Sequence, residues 1–97
     1  MNAYCLTAHI RVSDAERLEL ARRELSHLVQ HTRQEEGCAE FRIFEDADVP
    51  GEFWLWEVWN GEEGFKAHMD AAHTKRYFNL NLTEVLEVKR VNALEDK

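Results

Sequence analysis

The sequence predicts an α+β fold with the order β-α-β-β-α-β, the split βαβ arrangement of ferredoxin-like domains. Three observations carry that expectation. Segments rich in β-formers open and close the chain, and two more stand back to back in its middle. Stretches with apolar residues at helical spacing separate them. One central segment, "EFWLWEVW" from Glu52 to Trp59, is apolar on both faces, as an interior strand is.

Ala3 to Val12, "AYCLTAHIRV", alternates loosely and forms strand one. In "SDAE", Ser13 and Glu16 have capping-box spacing, so hydroxyl and carboxylate can satisfy the first free amides of a helix. Leu18, Ala21, Leu25, Leu28, Val29 and Thr32 then recur as one helical stripe, with Arg22, Arg23, His27, Gln30 and His31 on the opposite side. Gly37 in "EEG" is the expected stop. "CAEFRIFED" is strand two, and Pro50-Gly51 suit the central positions of a turn before strand three.

Asn60 and Glu63 give a second capping pair, ahead of a helix that turns Phe65, His68 and Met69 inward. This helix breaks near "DAAH", and a further helical segment from Thr74 places Tyr77, Phe78, Leu82 and Val85 inside. "LEVKRVNAL" is strand four and "EDK" a frayed end. Right-handed crossovers lead to an antiparallel sheet ordered 4-1-3-2, with both helices on one face.

The 97 residues make one domain, near the size at which partners help stability. No apolar run is long enough for a membrane span or a signal-peptide core, which places the expected protein in the cytoplasm. Nineteen acidic against twelve basic side chains give a net charge of −7, the wrong sign for a nucleic-acid surface. Cys5 and Cys38 are too few and too far apart for a disulfide framework or a zinc motif, and strand three separates the strands that carry them. Two helices cover only one sheet face. The second apolar face of "EFWLWEVW" therefore predicts a twofold homodimer, sheet against sheet.

"EEGCAEFRIFED", "FWLWEVWNGEEGFKAHMDAAHTKRYF" and "LEVKRV" together resemble the antibiotic biosynthesis monooxygenase family of dimeric α+β barrels. The most specific part is Glu57-x-Trp59, then Phe65-x-x-His68, then His73 and Tyr77. The resemblance implies a homodimer with a ligand cavity between helices and sheet in each protomer. It also implies cofactor-independent oxygenation of phenols or quinols by O2, with no metal. Trp59, Phe65 and Tyr77 match family positions around the pocket. Haem-degrading relatives use an asparagine on strand one and a tryptophan where His68 stands; this chain offers Thr7 or His9 on strand one, so haem degradation is disfavoured. The His68/His73 spacing is closer to the quinol-monooxygenase and signal-processing branch.

His68 lies on an inward stripe, either as a core histidine or as a base able to exchange a proton near neutral pH. His73 follows at i+5, about 140° away on an unbroken helix, so both face one cavity only if the helix breaks at Ala71-Ala72. Otherwise His73 packs the break. His27 and His31 have i,i+4 spacing but no evident third ligand. Glu57 is a carboxylate in a buried strand and needs a partner. It forms an ion pair with His9 or Arg42, or it orients a ligand or a catalytic histidine. The expected function is oxidation of a small quinol-like molecule by O2, with His68 as first and His73 as second candidate base. The alternatives are an isomerase or tautomerase of a small hydroxy-ketone and a non-catalytic ligand-binding dimer.

Overall fold

A computed structural model describes residues 3–94. The strands are β1 (Ala3–Val12), β2 (Cys38–Glu45), β3 (Glu52–Asn60) and β4 (Thr83–Val91); the helices are α1 (Leu18–Thr32), α2 (Gly61–Asp70) and α3 (Ala72–Asn79), with a 3-10 turn at Ala15–Arg17. The sheet is antiparallel throughout and ordered β2-β3-β1-β4, the expected order read from the other edge. The expected ferredoxin-like architecture is therefore present, and the chain's "EDK" end lies outside the described residues.

One face of the sheet packs on the helices. Ile10, Phe41, Phe53 and Trp59 meet Ala21, Leu25 and Leu28 of α1 and Tyr77 of α3 in a single core. The α1 stripe follows the predicted spacing, with Ala21, Leu25, Leu28 and Thr32 buried. Because β3 alternates, its other face carries Trp54, Trp56 and Val58, of which Trp54 is exposed. The Trp54 indole donates to Asp46 (3.0 Å) and stacks on His9, with ring centroids 3.8 Å apart. Val49 accepts from the amide of Glu52 (3.2 Å) around Pro50-Gly51, and Gly51 has φ 92°, the backbone of a type II turn. Cys5 and Cys38 are both free thiols.

The caps differ from expectation. Asp14, not Ser13, accepts from the amide of Glu16 (3.0 Å), because the Ser13 backbone is engaged with the carbonyl of Leu82 (2.9 Å). Asn60 makes no side-chain cap bond; its amide donates to the Gly37 carbonyl (2.8 Å), and Gly61 opens α2 at φ 79°. Nor does Gly37 end α1, which closes at Thr32 through the turn bonds Gln34 N–H to His31 O and Glu35 N–H to Thr32 O. Gly37 instead lies against Gly64 of α2, where backbone meets backbone.

The second half of the chain also departs from the pattern. The break falls at Ala71, whose ψ of 148° is extended while its amide and carbonyl still bond to His68 and Lys75. α3 stops at Asn79, and Asn81 at φ 53° turns the chain into β4 at Thr83, three residues earlier than predicted. Val85 is therefore a strand residue, 56% exposed, rather than part of a buried helical stripe. Phe78 and Met69, also expected inside, are exposed. Helical spacing had grouped them with Tyr77 and His68, but they stand at the open rim of the helix layer, beside exposed Val85 and Val88 of β4.

The Gly37–Gly64 contact sets how closely α2 approaches the turn after α1. A Cβ on Gly64 would stand 2.9 Å from the Gly37 carbonyl oxygen. Gly64→Ala should thus destabilise the protein by about 1–3 kcal/mol in urea unfolding, although alanine favours a helix interior by about 1 kcal/mol. A variant as stable as the parent would show that the two segments can move apart freely.

Candidate functional site

Between the helices and the sheet lies a cavity of about 250 Å³. Its walls are apolar: Leu6, Ala8 and Ile10 from β1, Leu25 and Leu28 from α1, Phe41 from β2 and Leu55 from β3. Phe65, Met69, Tyr77, Phe78, Val85 and Val88 complete the lining, and of these Met69, Phe78, Val85 and Val88 are the solvent-exposed rim. The polar lining is Glu57, His68, Thr74 and Thr83, with the hydroxyl of Tyr77 tied to Thr83 (2.8 Å). Among the described residues, no lysine or arginine lines it.

His68 stands in the last turn of α2 and is 4% exposed. Its Nδ1 lies 2.8 Å from Oε2 of Glu35, and the Thr74 hydroxyl is 3.3 Å from the same nitrogen. A carboxylate oxygen accepts, so the proton belongs on Nδ1 and the lone pair on Nε2. Thr32 Oγ1 is the one side-chain polar atom among the described residues that is both sealed from solvent and without a partner. The free Nε2 of His68 is therefore not sealed, and it opens to the cavity that the ring lines. Burial holds the imidazole below its ordinary pKa of 6.5, outweighing the Glu35 bond that pulls it up. Around neutrality the ring is an uncharged base.

His73 reaches the same carboxylate. The extended residue at Ala71 rotates α3 away from the line of α2, and His73 Nε2 comes to 2.5 Å from Glu35 Oε2. The break thus brings both histidines together on one acid, although His73 does not line the cavity. Its ring stacks on His31 at 5.8 Å on the outer side. The donor atoms of Glu35, His68 and His73 all lie within 4.8 Å of one another. Protons bridge Glu35 to both rings, since two donors bound to one metal sit roughly 3.0–3.4 Å apart when each bond is about 2.0–2.1 Å.

Glu57 is 7% exposed and faces the cavity beside His68. Neither expected ion pair forms. His9 bonds Glu52 (2.7 Å), and Arg42 covers the ring of Phe44, because the register puts both on the opposite sheet face from Glu57. Glu57 Oε1 instead accepts from the indole of Trp59 (2.9 Å). Burial raises its pKa, with the Trp59 bond opposing and the charge of Glu35 adding to the rise. Its second oxygen has no partner among the described residues and is likewise unsealed. Trp59 itself is fully buried behind the lining, with its ring 4.6 Å from that of His68, while Phe65 and Tyr77 reach the cavity surface.

Glu35 was not among the residues singled out from sequence. A signal existed: a carboxylate just beyond a helix C-terminus meets the negative end of the helix dipole and calls for another partner. That partner comes from residues 33 and 38 positions away, a pairing no local pattern encodes.

His68 also leaves a mark on stability. Its folded pKa lies below 6.5, so below that pH the unfolded chain takes up a proton that the folded site refuses, and stability is lost as pH falls. Glu57 acts in the opposite sense, its retained proton favouring the fold at low pH and that gain fading as pH rises above about 4.5. Urea midpoints measured from pH 7.5 to 5.5 should fall more steeply in the parent than in His68→Gln. Equal slopes would mean that the imidazole charges freely inside the fold.

The sequence matches the antibiotic biosynthesis monooxygenase family over residues 3–80. YjcS of Bacillus subtilis (strain 168), an uncharacterized protein, is 29% identical over 93 residues, spanning 96% of this chain and 89% of YjcS. YcnE of the same organism is 38% identical over 68 residues, 70% of each chain. The solved structure of YjcS superposes with a TM-score of 0.86 at 28% identity, over 95% of this chain and 99% of that one. A Deinococcus radiodurans protein superposes at 0.80 with 26% identity, over 96% and 95%. With its family match running through β1, all three helices and the cavity lining they supply, this chain belongs to the antibiotic biosynthesis monooxygenase family.

Proposed function

We propose that the protein is a homodimeric monooxygenase that oxidises a small, neutral phenol or quinol with O2, the substrate itself supplying the electrons. The observation that carries this reading is the free Nε2 of His68, an uncharged base aimed into an apolar cavity and oriented from behind by Glu35. A volume of about 250 Å³ lies just below the usual range for ligand pockets and favours a compact molecule. The lack of a lining cation disfavours carboxylated or phosphorylated substrates. Support from relatives is the name of the 38%-identical protein, "Putative monooxygenase YcnE".

In this mechanism His68 Nε2 takes the phenolic proton, and Glu35 stabilises the imidazolium. The electron-rich phenolate passes one electron to O2, and the two radicals join as a hydroperoxide. Loss of water then leaves one oxygen atom on the ring, so a quinol and O2 give a hydroxyquinone and H2O. Glu57, whose carboxyl burial biases toward the protonated form, lies where a second substrate oxygen would meet it, and Phe65 and Tyr77 flank the ring. Trp59 holds Glu57 and packs on His68 without touching the substrate. His73 acts through Glu35. No metal or organic cofactor takes part in the proposed reaction.

A second reading rests on the same two groups. A carboxyl group with a raised pKa and a neutral imidazole in one cavity suit enolisation of a hydroxy-ketone, the carboxyl facing the carbonyl and the base the adjacent carbon. Turnover under strict anaerobiosis would favour this isomerase.

The dimer belongs to the proposal. Trp54 and Phe44 are exposed on the sheet face opposite the helices, beside half-buried Trp56 and Val58, a surface suited to a second copy. Two free cysteines fit a reducing compartment, taken as the cytoplasm.

Two measurements bear on this. Oxygen uptake with a panel of hydroquinones should fall by roughly 100-fold or more in His68→Ala, the scale of general-base catalysis. Undiminished uptake in a folded variant would take His68 out of the mechanism. In sedimentation equilibrium the parent should be dimeric at micromolar concentration and Trp54→Asp shifted toward monomer. A parent that stays monomeric would end the dimer proposal.

A further inference from the structure

In the Glu35–His68–His73 cluster, His68 lines the cavity while Glu35 and His73 do not. Glu35 Oε2 meets Nδ1 of His68 and Nε2 of His73, and no other group among the described residues brings three such donors together. Two imidazoles and a carboxylate form a donor set suited to borderline divalent transition ions rather than to Mg2+ or Ca2+. A bound ion needs Glu35 drawn back slightly and the two imidazole nitrogens, now within 4.8 Å of each other, brought to roughly 3.4 Å. A route from solvent exists, because Glu35 also borders an open groove of about 630 Å³ that carries Glu36 and Glu63. Those carboxylates attract cations.

We infer that Glu35, His68 and His73 form a binding site for a divalent transition-metal ion such as Zn2+, and that occupancy switches off the cavity base. The chemistry of the ring dictates the second part. With Glu35 accepting from Nδ1–H, the lone pair of His68 is on Nε2 and faces the cavity. A metal on Nδ1 takes that lone pair, and the neutral ring then carries its proton on Nε2. No net proton is released; the cavity-facing atom changes from acceptor to donor. The metal lies behind the imidazole, outside the cavity, and so contacts no substrate. His73, which does not line the cavity, becomes a ligand whose loss abolishes the response to metal. The inhibitory consequence rests on the proposed role of His68 as base; the binding does not.

Calorimetric titration of the full chain with ZnCl2 at pH 7.5 tests the site, with MgCl2 as control. One Zn2+ per chain is expected, with no response to Mg2+. Affinity should drop by at least about 100-fold in His73→Gln and in Glu35→Gln, more than the loss of an outer-shell group costs, and both folds are checked by circular dichroism. His27→Ala, which removes half of the exposed i,i+4 histidine pair on α1, should bind as the parent does. Imidazole 1H–15N spectra should show the His68 proton moving from Nδ1 to Nε2 as Zn2+ is added. Lack of 1:1 binding, binding retained in both site variants, loss in His27→Ala, or an unmoved His68 proton would each overturn the proposal. If Zn2+ binds and the proton moves while hydroquinone oxidation is unaffected, the site stands and His68 is not the base.

Discussion

Three short helices have to cover a four-stranded sheet, and they stop short of its β4 edge. The core forms where the helices lie over β1, β2 and β3, while β4 is held almost wholly by its ladder to β1. Most of β4 is exposed. Val85 and Val88 thus face the helix side with nothing above them, and the cavity opens there. A longer α3 would fill that space and leave a solid core. Instead the helix ends at Asn79, and left-handed Asn81 returns the chain directly into β4.

Into this apolar gap the fold places two ionisable groups whose charged forms burial disfavours. Removing Glu57 and His68 from water disfavours their charged forms, a carboxylate above its ordinary pKa and an imidazole below it. Each keeps one polar atom satisfied behind the wall, Glu57 by the Trp59 indole and His68 by the Glu35 carboxylate. Each leaves the other atom for whatever enters. The chain as a whole carries −7, yet its cavity is lined mostly by apolar side chains, and this mismatch separates what the surface attracts from what the interior accepts. Fully buried Trp59 is central here, holding Glu57 by a hydrogen bond and His68 by ring contact.

Much of this was legible in the chain, because it is local. The loose alternation of β1, the two-faced apolar run of β3, the α1 stripe and the Pro50-Gly51 turn each need only a few consecutive residues, and with right-handed crossovers they gave the strand order and the helical face. The break before His73 was expected near "DAAH", and it falls there, at Ala71. The caps were less so. Ser13 and Asn60 have the right chemistry, but their backbones are tied to Leu82 and Gly37, and those long-range bonds override the local motif.

From the sequence alone came the ferredoxin-like sheet, the inward placement of His68 and the presence of a carboxylate in the central strand, all consequences of periodicity. Only the tertiary structure decided that Glu57 bonds Trp59 rather than His9 or Arg42, since strand register assigns each side chain to one face. It alone put Glu35 between His68 and His73, a meeting of the turn after α1 with both sides of a helix break. Partners more than thirty residues apart are chosen by how closely two backbones can approach, here glycine against glycine at Gly37 and Gly64, and that closeness is a property of packing.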